Sequence, residues 1–352
     1  MSISLMQPKL PTYEELAPYF RKIDSSKMYS NFGPLNELLI SRLAAYFEVD
    51  ESEIHTVSNA TQGLIGTVEI LSEESDAIWD IPSWTFAASA IALKQARAIG
   101  SFCDIDINWR VVPSADSDRL IDVLPFGESL RESTPPLEKS LKIIDGAASF
   151  DALKGVGKLL DRNSFLVISM HATKLIAGGE GGIVISKNPL WADRFKSWTN
   201  YGFEGSRISK NLGTNAKISE YTAAIALASL DQWEEIRGKI LDNSKIAISI
   251  SENRGFSVNS SMKHGFATPY WILDCKDSEQ KMQVVNEMTK RSIPTRNWWE
   301  SGCHEMPAFS DFKRKSLEET RKVATRTIGL PFHYFLREQD FEVIDEALRN
   351  VS

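Results

Sequence analysis

From residue 53 to residue 186 the chain repeats one arrangement: a short apolar run, a turn of small and polar residues, then a helical or loop segment. The runs at 53–57, 77–81, 101–105, 120–126, 141–144, 165–168 and 183–185 have strand length and are bounded by turn residues. Strands alternating with helix-length crossovers pair in parallel, and the sheet they build is covered by helices on both faces. The expected fold class is therefore α/β, a mostly parallel sheet sandwiched by helices. In such sheets ligands bind beyond the carboxyl ends of the strands. Thr61, Trp84, Asp145, Ser169 and Lys174 fall at or just past those ends. One crevice can thus gather a hydroxyl at a helix start, an aromatic plate, a carboxylate and a lysine.

The last two runs enclose the most informative stretch. After 165–168 comes a polar turn with Ser169, His171, Thr173 and Lys174, then Gly178-Gly179-Glu180-Gly181-Gly182, then 183–185. A plain β-hairpin with an outward lysine fits this pattern. So does an enclosed lysine, and burial would depress its pKa and make the amine nucleophilic. Likewise Ser58-Asn-Ala-Thr-Gln-Gly63 lies between a strand and a helix. It fits ordinary N-capping, and it fits an anion seat made by free N–H groups and the helix dipole.

Length and composition restrict the alternatives. A chain of 352 residues, 42% hydrophobic and 25% charged, has the make-up of a soluble globular protein of two domains. The net charge of −7 leaves no basic footprint for nucleic acid or anionic lipid. Three scattered cysteines imply no disulfide framework, and five histidines form no metal-ligand cluster. No run approaches membrane-spanning length and residues 1–11 lack a signal core, so a cytoplasmic location is expected. An Ala-rich helix is expected over 221–236, and the polar stretch 237–244 is the candidate boundary between a large domain, 1–240, and a small one, 241–352.

Four of these parts suit one cofactor. Pyridoxal phosphate needs a lysine for its aldehyde, a carboxylate for its ring nitrogen, an anion cradle for its phosphate and packing on its ring. The segment 169–182 resembles the cofactor-lysine signature of the DegT/StrS-type sugar aminotransferases, which are fold type I pyridoxal-phosphate enzymes with a smaller C-terminal α+β domain. Tyr29-Ser-Asn-Phe-Gly-Pro34, Val57-Ser-Asn-Ala-Thr61, Ile81-Pro-Ser-Trp-Thr-Phe86 and Ile144-Asp-Gly-Ala-Ala148 resemble family segments in the same order. So do 211–220, Ile293-Pro-Thr-Arg296 and Leu330-Pro-Phe-His333.

The resemblance implies roles. Lys174 would join the cofactor's aldehyde and then shuttle a proton between the substrate carbon and C4′, with Asp145 on the ring nitrogen. Ala60, Thr61 and Ser169 would hold the phosphate, and Trp84 would stack on the ring. Asn215 would reach the phosphate of a partner subunit, because family active sites lie at a homodimer interface. Asn31, Arg296 and His304 are candidate substrate contacts, each also open to being a solvent-exposed side chain. Lys174 itself favours amino transfer over sugar 3-dehydration, which uses histidine there. One position departs: where the family commonly has His or Gln near the cofactor's 3-hydroxyl, this chain has Ala148, so the contact is lost, or Ser149 or water replaces it.

The implied activity is amino transfer from L-glutamate to the 4-keto carbon of a nucleotide-linked 6-deoxy sugar, with dTDP-4-amino-4,6-dideoxyglucose as the first choice of product. A 3-keto sugar, another nucleotide carrier, or a cofactor-binding regulator without turnover are the alternatives.

Overall fold

A computed structural model describes residues 3–72, 78–115, 117–130 and 140–351. Its strands are β1 (Ile54–Val57), β2 (Ile78–Pro82), β3 (Ile99–Cys103), β4 (Arg119–Val123), β5 (Leu141–Asp145), β6 (Ser164–Ser169), β7 (Gly182–Ile185), β8 (Ser257–Val258), β9 (Trp271–Asp274), β10 (Lys313–Arg314) and β11 (Thr327–Leu330). Each of the seven expected runs contains a strand, but 124–126 lies past the end of β4, 104–105 past the end of β3 and Glu53 just before β1, and Ala77 lies outside the described residues.

Eight strands form one sheet in the order β1-β7-β6-β5-β4-β2-β3-β10. Neighbours pair in parallel except β7, which runs antiparallel to both β6 and β1. The central strands are apolar on both faces, as a sheet covered on both sides requires. In β6 the period of two is plain. Phe165 and Val167 join the core beneath α3 (Ala60–Ser72), α4 (Ala87–Gln95) and α5 (Pro189–Trp198). Leu166 and Ile168 face the opposite core, with α1 (Tyr13–Ser26), α2 (Pro34–Phe47) and α6 (Glu220–Asp231).

The helix expected over 221–236 is two helices. Gln232, at φ −95° and ψ 2°, separates α6 from α7 (Trp233–Asn253), and its side-chain amide donates to the Ala228 carbonyl at 3.2 Å. The stretch 237–244 is therefore helix rather than linker, and the chain passes through it without a break. Its Arg237 donates to the Asp151 carboxylate at 2.7 Å, and the same carboxylate accepts the Ala267 N–H at 2.8 Å. A second, three-stranded antiparallel sheet, β11-β9-β8, follows α7. Helices Ser278–Lys290 and Glu338–Leu348 pack on it through Val284, Met288, Phe341 and Ile344. No helix among the described residues is long and apolar enough to cross a membrane.

Candidate active site

The β6–β7 hairpin carries the lysine. Its register pairs Ser169 with Gly182, and the turn is closed by N–H donation from Met170 to Gly181, Ala172 to Gly179 and Gly178 to Met170, at 2.7–2.9 Å. Gly179 (φ 82°) and Gly181 (φ 148°) adopt backbone conformations that side chains disfavour. The turn lifts Lys174 into a cavity of about 650 Å³ at the carboxyl ends of the strands. Its Nζ donates to the Tyr270 hydroxyl at 2.8 Å. The stretch is a hairpin, as the first reading has it, but its lysine faces a cavity rather than pointing outward.

Asp145 ends β5 on the cavity wall and is only 6% exposed. Ser89 of α4 donates its hydroxyl to Oδ2 at 2.6 Å, and the Ala147 N–H donates to Oδ1 at 3.1 Å. Burial nevertheless dominates and raises the carboxyl's pKa above the ordinary value. Those two hydrogen bonds and the Lys174 charge pull it back. A further cation beside this carboxyl would favour its ionised form.

At another wall of the cavity α3 begins. The Asn59 side chain caps it by accepting the Gln62 N–H at 2.9 Å. Ala60 and Thr61, in the first turn, have no carbonyl behind them within the helix, so their N–H groups are free for an anion. Both line the cavity, as does Ser169, whose hydroxyl accepts the His171 N–H at 3.2 Å. Gly182 makes this closeness possible: a Cβ there would stand 2.8 Å from the Ala60 nitrogen and from Val57 Cγ1. Gly182→Ala is therefore expected to lose about 1–3 kcal/mol of stability and to weaken phosphate binding by displacing the first turn of α3. Thermal unfolding and fluorescence titration with pyridoxal phosphate check this; wild-type affinity in the variant contradicts it.

The remaining candidates divide. Arg296 lies at the cavity wall, its guanidinium 4.9 Å above the Trp298 ring. Trp84 does not reach the cavity and cannot stack on a ligand there. It is 1% exposed, boxed edge-on by Trp109, Phe126 and Trp299. Phe86, two residues on and 63% exposed, lines the cavity with its ring. His304 is also displaced from its expected role. It is 1% exposed and away from the cavity, with Nδ1 2.7 Å from the Ser83 hydroxyl, and burial lowers its pKa. It anchors the segment 302–305 to the turn after β2. Asn31 and Asn215 are exposed and lie outside the cavity of their own chain.

Ala148 lines the cavity, but the Ser149 hydroxyl is buried elsewhere with no partner. Tyr270, Phe126, Trp298 and Trp299 complete the wall. Among the described residues, no three His, Cys, Asp or Glu side chains gather as a metal site.

A buried carboxylate, a lysine amine, a helix start with free N–H groups and an exposed aromatic share one cavity. Its size is within the usual range for a ligand site, and the donor set fits pyridoxal phosphate. The DegT/DnrJ/EryC1/StrS aminotransferase family model matches residues 12–121 and 138–349. The chain is similar to Protein Rv3402c of Mycobacterium tuberculosis, at 27% identity over 99% of this chain and 90% of that one. It is 24% identical to a dTDP-4-amino-4,6-dideoxy-D-glucose transaminase of Shigella dysenteriae, over 99% of each chain. Its fold matches that of DesI, solved in the presence of its TDP-sugar product, with TM-score 0.86 and 24% identity over 99% of this chain and 92% of that one. The chain belongs to the DegT/DnrJ/EryC1/StrS family and is a pyridoxal-phosphate-dependent aminotransferase.

Proposed function

We propose that the enzyme moves an amino group from L-glutamate to the 4-keto carbon of a nucleotide-linked 4-keto-6-deoxyhexose. The first substrate is dTDP-4-keto-6-deoxyglucose, giving dTDP-4-amino-4,6-dideoxyglucose for O-antigen or other surface polysaccharide. It would act in the cytoplasm as a homodimer with shared active sites, its Asn215 reaching the partner's phosphate seat and Asn31 the partner's substrate. The observation that carries the aminotransferase chemistry is that Lys174, Asp145 and the start of α3 line one cavity. The 4-keto choice is supported by the Shigella relative, aligned nearly end to end.

When bound, the cofactor supplies a ring that accepts electrons from the carbon losing its proton. The residues do the rest. The α3 N–H groups of Ala60 and Thr61, with the Ser169 hydroxyl, would hold the phosphate. Asp145 would pair with the ring nitrogen and keep it protonated. Phe86 would cover a ring face. Lys174 would hold the proton exchanged at the donor carbon. Arg296 offers the cavity wall a cation for a carboxylate or diphosphate.

Product analysis by NMR, after incubation with glutamate and dTDP-4-keto-6-deoxyglucose, tests the choice. A new C4 amine with stoichiometric 2-oxoglutarate is expected; amination at C3, or turnover only with another nucleotide, overturns it. A protein whose cofactor absorbance never responds to glutamate would instead be a binding regulator.

A further inference from the structure

The amine of Lys174 is hydrogen-bonded by a residue from outside the large sheet. Tyr270 stands immediately before β9, and its hydroxyl is 2.8 Å from Nζ. It is held firmly. The Ala267 N–H donates to Asp151 at 2.8 Å, and the Thr268 hydroxyl donates to the Phe126 carbonyl at 2.6 Å. The Tyr270 ring itself meets Phe126 and Trp298 edge-on at 5.5 and 5.1 Å. Tyr270 is 8% exposed, so its hydroxyl works in a largely dry setting.

On the wall that follows Asp145 there is no such group. Ala147 and Ala148 line the cavity without side-chain donors, and the Ser149 hydroxyl is turned away into the protein. In pyridoxal phosphate the 3-oxygen sits on the ring carbon next to the one bearing the aldehyde. A hydroxyl that touches the lysine nitrogen is therefore positioned to touch that oxygen too.

We propose that Tyr270 is the hydrogen-bond donor to the cofactor's 3-oxygen, serving the free lysine nitrogen in one state and this oxygen in the other. It takes the place that Ala148 leaves empty and Ser149 does not fill. Its hydroxyl donates to the oxygen and stabilises the deprotonated form, so the proton shared between oxygen and nitrogen is held less tightly. This rests on the cofactor assignment and not on which sugar is used.

The test needs no sugar. Enzyme loaded with pyridoxal phosphate is titrated with base while its visible absorbance is followed. Tyr270→Phe is expected to move the midpoint upward by about one pH unit, as loss of a charge-assisted hydrogen bond implies. Ser149→Ala is expected to leave it in place. An unmoved midpoint in Tyr270→Phe, or an equal shift in Ser149→Ala, overturns the proposal. A second arm measures affinity: Tyr270→Phe binds pyridoxal phosphate more weakly than wild type, whereas the two bind 3-deoxypyridoxal phosphate equally. A gap that persists with the deoxy analogue shows a purely structural role and also overturns it. Should the phenylalanine variant not fold, wild type binding both ligands equally would do the same.

Discussion

Lys174→Ala is expected to abolish amino transfer and leave the fold standing. Proton transfer by a positioned side chain contributes roughly a hundred- to ten-thousand-fold, and this lysine is also the only amine positioned for the aldehyde in the cavity lining. The structural cost is small. Lys174 is half-buried in a turn whose backbone bonds do not involve its side chain, and its Nζ contact with Tyr270 is worth about 0.5–1.5 kcal/mol. The measurements are turnover with glutamate, thermal unfolding, and borohydride reduction followed by peptide mapping. Reduction should fix the cofactor at Lys174 in the wild type and nowhere in the variant. A label on any other lysine would overturn the assignment.

Asp145→Asn is expected to separate activity from stability. The amide keeps the shape of the site but cannot hold a ring nitrogen protonated, so turnover should fall roughly a hundred- to a thousand-fold, the usual scale for losing one preorganised charge contact. Stability should move the other way in the cofactor-free protein. Burial holds the Asp145 carboxyl above its ordinary pKa. Its favourable contribution is therefore complete at pH below the unfolded-state value, and it is lost as pH rises through the raised folded value. As the carboxyl ionises, the wild-type protein gains a buried charge whose compensation comes from Ser89, Ala147 and the Lys174 charge. The asparagine variant carries none. Melting temperatures of cofactor-free protein across acid to neutral pH should show the wild type losing stability relative to Asp145→Asn as pH rises. Parallel curves would mean that Asp145 titrates normally.

Much of this site is local in the chain and could be read there. The strand ends, the polar turn after β6 and the start of α3 each declare themselves within a dozen residues, because strand period and helix capping are short-range effects. What escaped depends on distant partners. Trp84 and Phe86 sit in one bend, and nothing nearby says which ring turns inward; Trp109, Phe126 and Trp299 decide it by enclosing Trp84. His304 looked free because Ser83, which fixes it, is 221 residues away in sequence. Tyr270 is 96 residues from Lys174 and stands one residue before β9. The break at Gln232 has neither glycine nor proline to announce it. Asp145 and Lys174 needed no such help, since β5 and β6 are adjacent and in parallel register.

The aromatic side of the cavity differs in kind from the cofactor side. Ala60, Asp145, Ser169 and Lys174 belong to one interlocked unit of strands and turns, so tight that a methyl group on Gly182 would press on the Ala60 nitrogen. Arg296, Trp298 and Trp299 instead stand on a short irregular stretch, where Trp299 and Glu300 have φ of 62° and 49°. Arg296 pairs with Gly329 of β11, Trp298 packs on Tyr270, and Trp299 packs on Trp84 and Phe126, so an exchange at any of the three is transmitted to the lysine's neighbour or to the turn after β2. A saturation library over the five positions 296–300 therefore needs a readout of the Tyr270 contact with Lys174 beside any readout of turnover.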